Sequence, residues 1–261
     1  ILLFLNLLNR LDLHFLYLGV KKLLLLSALL IFACSSDDSN HDIPNPNNSS
    51  AIKIMPLGAS RVEGGRPNYE SYRYYLWKNL KDNNFVFDFI GTQSDEATYP
   101  SFNGEDFDDD HEGRGGWTSG DILDGLDDWL AQLETPDVVL ISSPGGNDGL
   151  ESLSFSQAVS NINFIIDILQ ENNPSVTIII EQMAPARSDI MTIELTNFFY
   201  QMQQEVLNIS TNKSTASSNV IPINMYTGFT DNLLADDVHY NIDGAKFIAE
   251  RYLELFLNEL N

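Results

Sequence analysis

The chain has 261 residues, with 14 Lys and Arg against 37 Asp and Glu, which gives a formal net charge of −23. This charge excludes nucleic acid as a partner, because binding to phosphates needs clustered basic side chains. Hydrophobic residues make up 43% and charged residues 20% of the chain, and this globular composition excludes wholesale disorder. The single cysteine, Cys34, excludes an intramolecular disulfide and a zinc site built from several thiolates.

The first 34 residues have the features of an export signal. Lys21 and Lys22 precede an apolar run over 23–32, and Cys34 follows the small residue Ala33. The run is shorter than the roughly 20 residues that a membrane-spanning helix needs. The order of a basic pair, an apolar run and a cysteine resembles a bacterial lipoprotein signal, in which the cysteine is lipidated and becomes the mature N-terminus.

We therefore predict a signal peptide over 1–33, of which 1–19 precede the true start, and a flexible tether over 34–51. The protein is then exported and anchored to the bacterial outer membrane or cell surface, and its membrane contact is limited to the lipid on Cys34. The alternatives are a plain secretory signal with an incidental cysteine and a longer signal anchor.

From residue 51 onward, short apolar runs alternate with stretches of helical periodicity. The predicted strands lie at 52–57, 85–90, 137–141, 176–180 and 219–223. The predicted helices lie within 69–81 and at 122–133, 155–169, 192–207 and 243–260. Continuous apolar strands that alternate with helices indicate a parallel sheet covered on both faces. The predicted fold is therefore α/β, a three-layer α/β/α sandwich with a central parallel sheet, over 52–261.

Polar residues that follow the strands are candidates for a site, because ligands of parallel sheets bind at the carboxyl ends of the strands. Ser60 follows the first strand on a tight turn, where a nucleophilic hydroxyl can be exposed. Gly115 and Gly116 allow a backbone N–H to face a pocket without hindrance. Asn147, in the segment GGND after the third long strand, can aim its amide at developing negative charge.

Only two of the four histidines, His111 and His239, lie inside the predicted domain and can act as a base. Asp236 precedes His239 by three residues, close enough to fix the imidazole tautomer from the same loop. We interpret His111 as a structural partner or a residue at the rim of the pocket. The acidic run at 105–110 is interpreted as a solvated loop, because His111 and Trp117 replace the Gly and Glu that an EF-hand loop requires.

Each of these signals alone is more often a turn or a helix cap, but their order carries more information. Gly-x-Ser, a glycine block, Gly-x-Asn-Asp and Asp-x-x-His follow one another at Ser60, Gly116, Asn147 and His239. This order resembles the SGNH (GDSL-like) hydrolase superfamily, most closely the acetylxylan-esterase-type carbohydrate esterases of family three. The resemblance covers about 52–260 and implies a flavodoxin-like sandwich and a serine esterase that uses no cofactor and no metal.

The resemblance also implies a role for each residue of the blocks. Ser60 would be the nucleophile, His239 the base and Asp236 the residue that orients His239. The oxyanion hole would consist of the backbone N–H groups of Ser60 and Gly116 and the side chain of Asn147. The chain departs from the family at residue 59, where Ala stands in place of the usual Asp. An altered residue next to the nucleophile can change the geometry of the Ser60 turn and lower activity.

The substrates implied by the resemblance are O-acetyl or other short acyl esters, on a polysaccharide such as acetylated xylan. Trp117 and Tyr240 are candidates for substrate binding, in an aromatic rim with Tyr99 and Phe102 that stacks on sugar rings; each could equally belong to the core. No apolar lid is evident between the blocks, which favours a small acyl group. The alternatives are an acyl hydrolase of the lysophospholipase or thioesterase type and a glycan-binding surface lipoprotein with little activity.

Overall fold

The computed structural model describes residues 51–260, so the predicted signal peptide, the lipid-bearing Cys34 and all but the last residue of the tether lie outside the described residues. The described part of the chain is a parallel sheet with helices on both faces. The strands are β1 (Ile52–Gly58), β2 (Phe87–Phe89), β3 (Glu112–Gly113), β4 (Val138–Ile141), β5 (Thr177–Gln182) and β6 (Val220–Asn224).

All strand pairs of the sheet are parallel, in the order β2-β1-β4-β5-β6. The short strand β3 pairs with the carboxyl end of β1, where Leu57 lies opposite Glu112 and Gly58 opposite Gly113. Parallel pairing of consecutive strands requires crossover connections, and these are mostly helical. The α/β/α sandwich predicted from the sequence is thereby confirmed.

Seven α-helices and one short 3₁₀ helix, at Asp231–Leu233, occupy the connections between residues 51 and 260. The α-helices are α1 (Ser60–Glu63), α2 (Arg73–Asp82), α3 (Ser119–Leu130), α4 (Gly146–Leu150), α5 (Phe155–Asn172), α6 (Ile193–Lys213) and α7 (Ile242–Glu259). No helix within residues 51–260 is long and apolar enough to cross a bilayer.

The core is divided by the sheet, because successive side chains of a strand point to opposite faces. In β1, Ile54 packs with α2 and α7 on one face, and Met55 and Leu57 pack with α3, α5 and α6 on the other. The middle residues of the central strands are buried on both faces, which explains the apolar runs in β4 and β5. Because all the strands run parallel, their carboxyl ends lie at one edge of the sheet.

The sequence predicted the long elements but not the short ones. The helix predicted within 69–81 begins only at Arg73, and the other long elements end within a few residues of their predicted bounds except α6, which continues to Lys213. The elements α1, β3 and α4 were not predicted. They contain two to five residues each, too few to show a periodic pattern, and all three lie at the carboxyl edge of the sheet.

Candidate active site

Ser60 is the first residue of α1, directly after the carboxyl end of β1. Its Oγ lies 2.9 Å from Nε2 of His239, although 179 positions separate the two residues in sequence. Ala59, where the family usually has Asp, is the N-cap of α1 and forms no capping hydrogen bond through its side chain. The turn at Ser60 therefore keeps its hydroxyl within hydrogen-bonding distance of the imidazole without that Asp.

Asp236 and His239 lie in one loop between the 3₁₀ helix and α7. The Asp236 Oδ1 atom accepts hydrogen bonds from the backbone N–H groups of Val238 (2.9 Å) and His239 (2.8 Å). Its Oδ2 atom lies 2.7 Å from Nδ1 of His239. Burial raises the pKa of Asp236, but these two N–H groups and the imidazole outweigh burial and lower it. The local turn thus holds an ionised carboxylate against the ring.

The ionised carboxylate decides the tautomer of His239. A carboxylate accepts hydrogen bonds and has no proton to donate, so Nδ1 carries the ring proton. The unprotonated Nε2 then faces Ser60 and can accept a hydrogen bond from its hydroxyl. This is the arrangement that allows an imidazole to withdraw a proton from a serine.

Arg61 connects the loops that surround Ser60. Its side chain is 8% exposed, and it donates hydrogen bonds to the carbonyl oxygens of Val238 (2.9 Å), Ala184 (2.8 Å) and Pro185 (3.0 Å). Val238 precedes His239, so one guanidinium ties the His239 loop to the segment after β5. A buried guanidinium with these partners restricts movement of the backbone on which His239 lies.

The loop after β4 adopts an uncommon backbone conformation. Ser143 has φ +48°, in the left-handed region where a residue other than glycine is uncommon. Its N–H donates a 2.8 Å hydrogen bond to Glu181, a fully buried residue whose pKa is raised by burial. The Ser143 hydroxyl also accepts a hydrogen bond from Arg61 at 3.2 Å. These contacts stabilise the turn that leads into Asn147.

The glycine block approaches Ser60 through β3. The N–H of Arg114 donates to the carbonyl of Gly58 at 3.1 Å, which continues the pairing of β3 with β1. Gly116 has φ +79° and occupies a turn closed by a 3.2 Å hydrogen bond from the Trp117 N–H to the Arg114 carbonyl. This positive φ explains the need for glycine at position 116.

Asn147 and Asp148 attach the loop after β4 to the glycine block. The Asn147 amide donates to the Trp117 carbonyl at 2.7 Å, which uses one of its two N–H bonds. Asp148 accepts hydrogen bonds from the Ser119 N–H (2.8 Å) and hydroxyl (2.7 Å), and its side chain is buried. The contacts place Asn147 next to the residue that follows Gly116.

A cavity of about 50 Å³ opens beside Ser60 and is lined in part by Trp117 and Asn147. Its remaining walls are mostly apolar and include Leu57, Ile122, Ile141, Ile162, Ile165, Met183 and Phe199. Gly116 does not line the cavity itself but directly precedes Trp117, which does. The hydroxyl of Ser60 thus lies between a polar hydrogen-bonded imidazole and a small apolar cavity.

The aromatic residues predicted as a rim lie in different places. Trp117 is half-buried at the cavity, with its ring 5.5 Å from that of Trp129. Tyr240 is 0% exposed, so it cannot stack on a sugar, and its prediction as a substrate-binding residue is wrong. It points inward because a backbone bridge to Glu70 fixes the segment after His239 with the Tyr240 side chain in the core. Tyr99 and Phe102 also pack against the core, in the aromatic cluster around Tyr74 and Trp77.

His111 lies outside the site, as a partner of Asp95. The side chains are 2% and 6% exposed, and Nε2 of His111 lies 3.2 Å from Oδ1 of Asp95. The acidic run before it is only partly solvated, since Asp108 accepts a hydrogen bond from the backbone N–H of Phe89 at 2.7 Å. Within residues 51–260, no group of three or more His, Cys, Asp or Glu side chains is arranged to hold a metal ion.

Two residues at the site have no counterpart in the sequence predictions. Arg61 follows Ser60, but an arginine beside a serine gives no sign that it will be buried. Tyr69, in the loop before α2, stacks on the His239 ring with 3.9 Å between the ring centroids. The sequence placed Tyr69 at the start of a predicted helix, but the helix begins at Arg73 and Tyr69 lies in the loop before it.

Comparison with known proteins identifies relatives by structure. No family model and no curated protein matches the chain. A family 3 carbohydrate esterase from Clostridium thermocellum is 28% identical, with a TM-score of 0.66 over 81% of this chain and 98% of that one. A carbohydrate esterase family 3 protein from Talaromyces cellulolyticus is 22% identical, with a TM-score of 0.68 over 79% and 97%.

A lipase/acylhydrolase from Enterococcus faecalis is similar in fold, at 15% identity and a TM-score of 0.59 over 79% of this chain and 96% of that one. These neighbours are esterases and acylhydrolases that share the sandwich described above. The likeness extends over nearly their whole length, so the described domain corresponds to a complete neighbour. The resemblance to the SGNH (GDSL-like) hydrolase superfamily that the four sequence blocks predicted is confirmed.

Proposed function

We propose that the protein is a serine carboxylic ester hydrolase that removes acetyl or other short acyl groups. The observation that carries the proposal is the hydrogen-bonded chain from Asp236 through His239 to the Ser60 hydroxyl, with distances of 2.7 and 2.9 Å. Ester hydrolysis is also the activity named for the structural neighbours. Serine, imidazole and carboxylate in this order can carry out acyl transfer on many unrelated folds.

In the first half of the reaction, Ser60 Oγ attacks the carbonyl carbon of the ester while Nε2 of His239 takes the hydroxyl proton. Asp236 stabilises the imidazolium that results. The negative charge on the carbonyl oxygen is held by the backbone N–H groups of Ser60 and Gly116 and by the second N–H of Asn147. The C–O bond to the alcohol then breaks, and His239 returns its proton to the leaving oxygen.

In the second half, water replaces the alcohol. His239 takes a proton from this water while the water oxygen attacks the carbonyl carbon of the acyl group on Ser60. The oxyanion of this tetrahedral intermediate accepts hydrogen bonds from the same three N–H groups. Its collapse releases the carboxylic acid, and the proton on His239 returns to Ser60 Oγ, so that the free enzyme is restored.

The size of the cavity favours a short acyl group. With a volume of about 50 Å³ the cavity is small, which favours an acetyl or other short acyl group over a long chain. The apolar walls suit a methyl or short alkyl group better than a sugar hydroxyl, which would lose its hydrogen bonds there. The lysophospholipase alternative would need room for a long acyl chain, which the series of esters described below tests.

Polysaccharide is the proposed source of the ester. The support for it is the likeness to family 3 carbohydrate esterases and the half-buried ring of Trp117, which can contact a sugar at the mouth of the cavity. We also propose that Cys34 carries a lipid that holds the enzyme at the cell surface. Mass spectrometry of the mature N-terminus, with Cys34→Ser as control, tests the anchor by itself.

The decisive experiment is a comparison of the wild-type protein with Ser60→Ala. On p-nitrophenyl acetate we expect kcat/KM to fall about 10³-fold or more. Equal rates would overturn the assignment of Ser60, and equal rates no faster than the uncatalysed reaction would leave the glycan-binding alternative. A series of p-nitrophenyl esters from acetate to octanoate, together with acetate release from acetylated xylan, then tests acyl length and polymer separately.

A further inference from the structure

The ring of Tyr69 lies flat on the ring of His239. The two centroids are 3.9 Å apart, and the ring planes are inclined by only 17°. Tyr69 belongs to the loop between α1 and α2, and its side chain is half-buried. Asp236 contacts Nδ1 of the imidazole and Ser60 contacts Nε2, so Tyr69 covers a face of the ring that neither of them uses.

The loop is built so that this tyrosine can lie flat. A side chain at Gly65 would place its Cβ 2.5 Å from the Tyr69 ring, so any residue other than glycine would displace the ring from this position. The backbones of Gly65 and Tyr69 exchange two hydrogen bonds of 3.3 Å. Arg66 and Glu70, which are both largely buried, form an ion pair of 2.7 Å across the same turn. Together these contacts fix the position of the Tyr69 ring.

The same loop is attached to the segment that carries His239. The N–H of Glu70, next to Tyr69, donates a 2.8 Å hydrogen bond to the carbonyl of Tyr240, next to His239. The residues adjacent to both rings are thus joined by a backbone bridge. Arg61 holds the same segment from its other side, through the carbonyl of Val238. The stacked pair is therefore held by the backbone as well as by contact of the rings.

A tyrosine face has two physical effects on an imidazole. Its π electrons are negative, so they attract the imidazolium that forms when a histidine accepts a proton. The ring also blocks rotation of the imidazole away from Ser60 and excludes water from one face. Both effects act most strongly during catalysis, when the ring is charged and must be correctly oriented.

We propose that Tyr69 is a positioning residue for His239, which its aromatic ring holds toward Ser60 and stabilises in the charged form. This inference rests on the proposed function, in which His239 is the base. We assign this role to the ring of Tyr69, because the ring is the part that stacks on the imidazole.

The kinetic test compares Tyr69→Leu with Tyr69→Phe on p-nitrophenyl acetate. We expect Tyr69→Leu to lower kcat about 3- to 10-fold with KM changed less than about twofold, from the loss of the cation–π attraction and of ring orientation. Tyr69→Phe keeps the ring and should retain kcat. Tyr200→Leu is the matched control, because Tyr200 is 60% exposed on α6. If Tyr69→Leu does not fold, Tyr69→Gln gives the same comparison.

The stack also has a spectroscopic signature that does not depend on activity. The ring current of Tyr69 should move the Hε1 proton resonance of His239 upfield in wild type and in Tyr69→Phe. Tyr69→Leu should remove that displacement, while the Hε1 resonance of His111 stays in place as an internal reference. The same spectra can be recorded in the Ser60→Ala background, where no turnover occurs.

The outcomes separate this inference from the proposed function. If Ser60→Ala abolishes hydrolysis but Tyr69→Leu keeps the wild-type kcat, the positioning role of Tyr69 is overturned alone. If Tyr69→Phe is as slow as Tyr69→Leu, the hydroxyl is the active part and the stacking argument fails. Hydrolysis that survives Ser60→Ala would overturn the proposed function and the role of Tyr69 with it, whatever the His239 resonance shows.

Discussion

Two Asp–His pairs lie within residues 51–260, and they differ in what the second ring nitrogen contacts. In the pair of Asp95 and His111, the backbone N–H of Gly113 donates a 2.9 Å hydrogen bond to Nδ1, so both ring nitrogens are used inside the fold. In the pair of Asp236 and His239, Nε2 faces the hydroxyl of Ser60. The first imidazole is 2% exposed and the second 19% exposed.

This difference shows that an Asp–His pair alone does not indicate catalysis. His111 supports the start of β3, and its carboxylate partner also receives hydrogen bonds from Arg73 (2.5 Å) and Tyr99 (2.5 Å). Asp95 thus belongs to a buried network that holds the glycine block against the sheet. His239 has one nitrogen directed at the Ser60 hydroxyl and a side chain that is 19% exposed, which fits the role in acyl transfer that we propose for it.

The largest expected effect comes from the same substitution in both pairs. We expect His239→Asn to lower kcat/KM on p-nitrophenyl acetate about 10³-fold or more, because the proposed base is lost. His111→Asn should keep activity within about tenfold, because asparagine can still accept the Gly113 N–H bond. Similar losses of activity in the two variants, with both still folded by circular dichroism, would contradict the distinction between the pairs.

The second comparison changes the carboxylates. Asp236→Asn should reduce kcat about 10²- to 10⁴-fold, because an amide can stabilise the tautomer that carries the proton on Nε2. Asp95→Asn should reduce it less than about tenfold, as Asp95 has no contact with Ser60 or His239. The measurement is kcat at saturating ester, at a temperature where both variants are folded. A larger loss in Asp95→Asn would show that the buried network controls the chemistry.

The same two carboxylate substitutions should affect the free energy of unfolding in the opposite order, with the larger loss in Asp95→Asn. Asp95→Asn should lower the free energy of unfolding by about 2–4 kcal/mol, because it leaves the fully buried Arg73 without a charged partner. Asp236 has a side chain that is 50% exposed, so Asp236→Asn should cost less than about 1 kcal/mol. Urea unfolding followed by tryptophan fluorescence measures both values. Equal destabilisation would mean that the two carboxylates are structurally equivalent.

The smallest expected effect is on the pH dependence of stability. Burial lowers the pKa of His111, although the nearby Asp95 carboxylate opposes this. The unfolded chain therefore binds a proton more readily than the folded one, and stability is lost as pH falls through the unfolded value of about 6.5. The pKa of Asp95 is also lowered, but its contribution is lost only below about pH 4.

The check is the melting temperature of wild type and His111→Asn between pH 8 and pH 5. Wild type should lose more stability than the variant as the pH falls. Burial raises the pKa of Asp108 to about 6, which has the opposite sign, but this contribution is present in both proteins and cancels in the difference. Parallel curves would show that His111 does not contribute.

The sequence predicted most of the fold, because strands that are buried on both faces contain runs of apolar residues. Val138–Ile141 and Thr177–Gln182 could be recognised from apolar runs, and their parallel pairing follows from the helices between them. The elements α1, β3 and α4 could not be recognised in this way, because two to five residues are too few to show a periodic pattern of apolar side chains. Tyr240 was misassigned because whether an aromatic side chain points inward depends on a backbone bridge to a distant residue, here Glu70.

By itself, the sequence determined the residue types that acyl transfer needs, their order along the chain and the sheet edge where they would lie. Only the tertiary structure decided that Asp95 is the buried partner of His111, that Tyr240 points into the core, and that Tyr69 covers the ring of His239. The physical reason is the distance along the sequence between the residues that interact. The pattern of buried residues repeats within each helix or strand, so a short stretch of sequence is enough to recognise it. The contact of Ser60 with His239 joins residues 179 positions apart and forms only when the whole sheet is assembled.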